Sequence, residues 1–309
     1  ERETHMTKAS RVHQLQPWLL GALSFAAAIS CGKDSSPRAA TAPSVETSPL
    51  AAPASPAPSQ PAAAAPGYRP PTEAELPQDA NGAVVRRGLA LVTRTYETLP
   101  EHSGNGLHCT SCHLDGGTKA QASPWLGIVP KYPTYRPRSG KQDTIEERIN
   151  DCFERSMNGK ALDPNSQDMA AIVAYMRFIS RDVPAGETPG RGFAKLEAPP
   201  PPNRQSGEAL YVQKCSACHG KDGAGVSPSG VYAFPALAGP RSFNIGAGMA
   251  RLNNAAAFIQ ANMPLGQGGT LTVQEAYDIA DYFIHFERPD FADKVHDWPK
   301  GGRPSDARY

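Results

Sequence analysis

Two pentapeptides, Cys109-Thr-Ser-Cys112-His113 and Cys215-Ser-Ala-Cys218-His219, constrain this chain more than anything else in it. Cys-x-x-Cys-His is the attachment sequence of a c-type haem. Both thiols add to the porphyrin vinyls, and the histidine becomes an axial iron ligand. The two histidines stand 106 residues apart, and the chain has only six cysteines, so four of them are committed to two covalently bound haem c groups. Each haem must then sit in its own small domain and supply much of that domain's core, because apolar side chains alone stabilise units of this size poorly.

A length of 309 residues suits two such domains. The net charge of +1 gives no reason to expect a nucleic-acid partner. Residues 1–31 read as an export signal. Lys8 and Arg11 follow Met6, Trp18–Ile29 is a short apolar run, and Ser30-Cys31 resembles a bacterial lipobox with Ala28 where leucine is usual. Export to the periplasm agrees with the haems, which are attached outside the cytoplasm, and Cys31 is the expected lipid anchor to a membrane. Residues 32–75 are rich in Pro, Ala and Ser, and are expected to be a disordered, semi-stiff tether. Domains are expected over 76–195 and 196–309, separated near Pro199–Pro202.

The two domains read as one repeat. In the second, a helix opening at Gly207 runs into the haem motif, a Gly- and Pro-rich loop follows, and a helix over Met249–Ala261 precedes Met263-Pro264. The Thr272…Glu275 capping box then starts a closing helix. In the first, helices are expected over 83–99, 144–158 and 167–180, with a long loop carrying Trp125, Tyr132 and Tyr135. Ile172 and Tyr175 correspond to Ile279 and Tyr282. This order of elements resembles that of a class I cytochrome c, giving an all-α fold of two fused domains.

The distal ligands separate the copies. Met263 lies 44 residues after His219 and is followed by proline. A thioether there raises a haem's potential and suits electron transfer. Met249 is the other candidate, but it lies mid-helix. The first domain offers Cys152 and Met157, the latter also 44 residues after its histidine. At about 100° per residue the two point roughly 140° apart on one helix, so only one is expected to reach the iron. Met157 would leave Cys152 a small buried hydrophobe. Cys152, with Arg148 and Arg155 on the same helix and Ser156 nearby, would be a thiolate ligand in an anion-binding site. His102, His108, His285 and His296 read as surface residues.

The segments Tyr135-Arg-Pro-Arg138-Ser-Gly and Glu146-Glu-Arg148-Ile-Asn-Asp-Cys152-Phe-Glu-Arg-Ser156-Met-Asn-Gly159 closely resemble the dihaem thiosulfate dehydrogenases, over about residues 80–290. The resemblance implies a catalytic iron held by His113 and Cys152. It implies a thiosulfate pocket lined by Arg138, Arg148 and Ser156, and a second iron held by His219 and Met263. It implies the coupling of two thiosulfates to tetrathionate, or the reverse at the same site, with electrons leaving to a soluble cytochrome c or similar acceptor. Some members carry lysine just before the distal methionine and switch ligands on reduction. Asn262 stands there in this chain, which implies plain His/Met ligation. Two other classes compete: a non-catalytic carrier with two His/Met haems, and a dihaem peroxidase, for which no distal acid–base group is marked.

Overall fold

The computed structural model describes residues 68–196, 200–226 and 233–309. They fall within one compact unit. The expected export signal with Cys31, and residues 32–67 of the expected tether, lie outside the described residues. Nine α-helices occur among the described residues: α1 Ala80–Thr93, α2 Thr95–Thr98, α3 Leu114–Gly117, α4 Ile145–Arg155, α5 Gln167–Ile179, α6 Arg204–Lys214, α7 Ser216–His219, α8 Leu252–Asn262 and α9 Val273–Ile284. An antiparallel hairpin, β1 Thr134–Arg136 and β2 Lys141–Asp143, is the only sheet among them.

The repeat is visible at its helix crossings. α1 packs on α5, and α6 packs on α9. A glycine lies at each contact: a Cβ on Gly88 would stand 2.0 Å from the Ala171 carbonyl oxygen, and one on Gly207 2.0 Å from that of Asp278. The equivalence of Ala171 with Asp278 places Ile172 with Ile279 and Tyr175 with Tyr282, as the sequence pairs them. Helix starts follow local chemistry. Asp79, Ser166 and Asn203 cap α1, α5 and α6 through their side chains, and capping boxes at Thr144/Glu147 and Thr272/Glu275 open α4 and α9.

Several boundaries differ from the sequence reading. The expected helix over 83–99 breaks at Arg94, whose ψ of 46° is not helical. α4 ends at Arg155, short of the expected 158, and the left-handed residue beyond it is Asn158 (φ 45°). Gly159 follows in a close approach, since a Cβ there would stand 2.0 Å from the His102 carbonyl oxygen. Residues 68–75, assigned to the tether, instead belong to the first domain: Tyr68 is buried and its hydroxyl donates to the Ile179 carbonyl at the end of α5. The hairpin was not expected, because two three-residue strands carry no readable alternation. Its turn holds Arg138 and is closed by Gly140 at φ 69°.

After α9 the chain leaves the second domain and crosses back onto the first. The Trp298 amide donates to the Arg138 carbonyl (2.8 Å), Arg155 pairs with Asp297 (2.7 Å), and Arg251 of the second domain pairs with Asp306 (2.7 Å). The tail therefore straps the two domains together.

Candidate functional site

Each haem motif lies in its own cavity. In the first domain Cys109, Cys112 and His113 line a cavity of about 220 Å³ walled by Trp125, Ile172 and Met176. The His113 Nδ1 lies 2.7 Å from the Ser123 carbonyl oxygen. In the second, Cys215, Cys218 and His219 line a cavity of about 320 Å³, and the His219 Nδ1 lies 3.0 Å from the Pro235 carbonyl oxygen. A carbonyl only accepts, so Nδ1 carries the proton in both rings and Nε2 is left for a metal. Burial also lowers the His219 pKa and favours the neutral imidazole. Paired thiols, an oriented imidazole and apolar walls fit a covalently bound haem in each domain.

The two cavities share a wall. Leu107, His108 and Cys112 line both of them. The segment that attaches the first haem therefore borders the space of the second. His102 and His108 are half-buried, and His285 and His296 are exposed.

A third cavity, of about 300 Å³, is polar. Arg138, Arg148, Cys152 and Ser156 all line it, so the four residues singled out from sequence meet at one place. Cys152, Arg148 and Ser156 also line the first haem cavity. Cys152 thus stands in the partition between the haem space and the polar space. Its position one helical turn from Arg148 places the Arg148 Nη1 2.9 Å from its Sγ. Burial pushes the Cys152 thiol up, but the Arg148 charge, the neighbouring His113 ring and the Arg148 hydrogen bond outweigh it and bring the pKa down to about 6. Burial without such a cation pushes Cys109 and Cys112 up to about 11 and about 12. Among the first domain's thiols, Cys152 alone has surroundings that favour the thiolate.

Five arginines line the polar cavity: Arg136, Arg138, Arg148, Arg155 and Arg251. Arg136 pairs with Asp143 and Asp151, and Arg155 with Asp151 and Asp297. Arg138 donates to the Gly246 carbonyl (2.6 Å), stacks on Trp298, and has Asp297 at 3.5 Å. The far wall comes from the second domain and the tail, through Gly246, Arg251, Asn254, Trp298, Gly302 and Pro304. Sequence reasoning missed this wall, because no local pattern joins residues more than a hundred positions apart.

Met157 and Cys152 both line the first haem cavity. The separation of roughly 140° expected between them assumed one helix through residue 157. With α4 ending at Arg155, Met157 lies beyond the helix and turns inward, buried at 3% exposure. In the second domain Met263 caps the C-terminus of α8 and lines the second cavity, as does Met249. Asn262 is buried and donates to the Phe258 and Gln121 carbonyls.

Comparison with known proteins gives a consistent picture. Residues 96–185 match the SoxA/TsdA cytochrome c domain family, and residues 202–283 match cytochrome c oxidase, cbb3-type, subunit III. A thiosulfate dehydrogenase from Psychrobacter arcticus is 52% identical over 245 residues, covering 79% of this chain and 75% of that protein. One from Allochromatium vinosum is 44% identical and covers 74% of this chain and 86% of that protein. The solved thiosulfate dehydrogenase TsdBA from Marichromatium purpuratum superposes with a TM-score of 0.68 at 40% identity; the match covers 72% of this chain but only 50% of the solved one.

Proposed function

This chain belongs to the thiosulfate dehydrogenase family, and from that premise we propose that it couples two thiosulfate ions into tetrathionate beside its first haem and passes the electrons through the second to an external acceptor. The observation that carries this reading is the position of Cys152, between a haem cavity and a cavity lined by arginines.

His113 and Cys152 are the residues to hold the first iron, and His219 and Met263 the second. Bound, the two haems together supply a sink for two electrons. The chain supplies the rest. Arg148 keeps Cys152 a thiolate, and Cys152 bonds to the terminal sulfur of a thiosulfate. Thiolate and dianion become a Cys152 S-thiosulfonate, and two electrons leave. A second thiosulfate attacks the terminal sulfur of that adduct, which releases tetrathionate and restores the thiolate. No proton moves in either half, so the site needs no general base. It needs charge compensation, because two dianions repel each other strongly in a low-dielectric cavity. Arg148, Arg138 and the Ser156 hydroxyl meet that need with charge-assisted hydrogen bonds.

The shared wall of Leu107, His108 and Cys112 would keep the two bound haems close, and Met263, as the thioether to hold the second iron, would raise that haem's potential and suit it to receive electrons. Export, a lipid anchor at Cys31 and a soluble cytochrome c as acceptor belong to the same reading; its support is that haem attachment takes place outside the cytoplasm.

The test is a thiosulfate–ferricyanide assay on the purified dihaem protein. Wild type is expected to reduce ferricyanide with tetrathionate as product, and Cys152→Ala to lose turnover with both haems attached. Equal turnover in the two proteins would sink the mechanism. The competing carrier reading uses Met157, which also lines the first cavity; it predicts no thiolate signature in the near-infrared spectrum of the oxidised protein.

A further inference from the structure

The coupling proposed above requires two thiosulfates in one cavity, and the walls of that cavity are unequal. On the wall formed by the first domain, Arg148 faces Cys152, while Arg136 and Arg155 are each locked between two carboxylates. The charge of those two guanidiniums is already answered by Asp143, Asp151 and Asp297. The opposite wall carries Arg251 and Asn254, from the N-terminal end of α8. Arg251 is held from behind. Asp306 of the tail accepts from its Nε (2.8 Å) and contacts its Nη2 (2.7 Å), and the other Asp306 oxygen accepts from the Asn253 amide (3.0 Å). That grip fixes one edge of the guanidinium. The side chain remains a quarter exposed and lines the cavity. An arginine clamped along one edge presents the other in a fixed orientation, which is what recognition of an oxyanion requires.

We infer that Arg251, with Asn254 beside it, binds the sulfonate of the second thiosulfate, the one that attacks the Cys152 adduct. Asp306 is the positioning residue that aims Arg251. The first thiosulfate lies against Arg148 and Ser156, and Arg138 stands at the junction of the two walls. The inference rests on the proposed function, and it makes Arg251 necessary for one half-reaction only. Formation of the Cys152 S-thiosulfonate, with both electrons passing to the haems, does not need it. Release of tetrathionate does.

The test separates the halves on the intact dihaem protein. Arg251→Gln and Arg251→Lys are compared with wild type. Haem reduction by thiosulfate without an external acceptor reports the first half. The expected result for Arg251→Gln is a wild-type rate and extent of that reduction. The Cys152 adduct is then expected to persist by intact mass, and the steady-state KM for thiosulfate to rise about ten- to a hundredfold, the loss of one charged hydrogen bond. Arg251→Lys restores part of the affinity. An unchanged KM, or a first half-reaction slowed as much as turnover, overturns the assignment. If Arg251→Gln loses haem, Asp306→Asn takes its place: the same split between halves is expected there, and its absence overturns the assignment equally. Failure of the wild-type protein to oxidise thiosulfate is a different result, and it counts against the function itself.

Discussion

At Cys152 a single side chain serves two spaces, and its neighbours decide what it does. Arg148 touches it at 2.9 Å from one turn away, and the carboxylates nearby are engaged by Arg136 and Arg155. Replacing Arg148 by alanine removes a charged hydrogen bond from substrate, worth about 1.5–3 kcal/mol. The KM for thiosulfate should rise accordingly in the ferricyanide assay, and an unchanged KM would show that Arg148 does not touch substrate. Met157 gives the converse test. Met157→Leu conserves volume in a buried position and should cost less than about 1.5 kcal/mol. If Cys152 holds the iron, the near-infrared and paramagnetic spectra of the oxidised first haem stay as in wild type. A changed ligand signature would transfer the role to Met157. The residues of this site nearest in sequence were legible without a structure, because Arg148, Cys152 and Ser156 recur along one helix and a cation one turn from a thiol has local meaning. Where α4 stops was not legible in that way: the chain turns at the left-handed Asn158, and Met157 comes to line the same cavity as Cys152.

The helices themselves were largely readable, since capping boxes and apolar spacing are local signals. What sequence did not show is how closely the helices approach. α1 and α5 cross at Gly88, and α6 and α9 at Gly207, each against a backbone carbonyl that cannot move aside without moving its helix. Alanine at either site gains about 1 kcal/mol of helix propensity. Against that stands overpacking at a backbone contact, typically about 1–3 kcal/mol and more where the obstacle is main chain. The overpacking term wins. Gly88→Ala should lower the thermal midpoint of the first domain, and Gly207→Ala that of the second, followed through each haem's absorbance. A stabilised protein in either case would mean that the crossing is looser than the 2.0 Å approach implies. The hairpin that holds Arg138 left no sequence signal for a related reason: three-residue strands are specified by their turn and by partners such as Asp143 and Asp151, not by alternation.

The polar cavity exists only when the whole molecule is assembled. Its two ends come from different domains, and the tail after α9 ties them. Asp297 meets Arg155 and Arg138, Trp298 stacks on Arg138, and Asp306 meets Arg251. None of these tail residues lines either haem cavity. The Arg155–Asp297 pair spans 142 residues and is 11% and 5% exposed on its two sides, so it leaves no trace in any local window yet contributes where burial makes charge pairing matter most. Breaking a buried pair by removing one partner typically costs about 3–5 kcal/mol. A chain ending at residue 296 removes three such anchors together. It should keep both haems and both axial ligand signatures, because attachment and ligation belong to the individual domains. It should lose most of its thiosulfate affinity, because Arg138 and Arg251 then lose the tail contacts that hold them in place. Reading haem content, oxidised-state spectra and the thiosulfate KM on the same preparation separates these outcomes. Intact spectra with an intact KM would show that the tail is only a fastening. Intact spectra with a KM raised tenfold or more would place the tail in the substrate site, as its contacts with three of the five cavity arginines require.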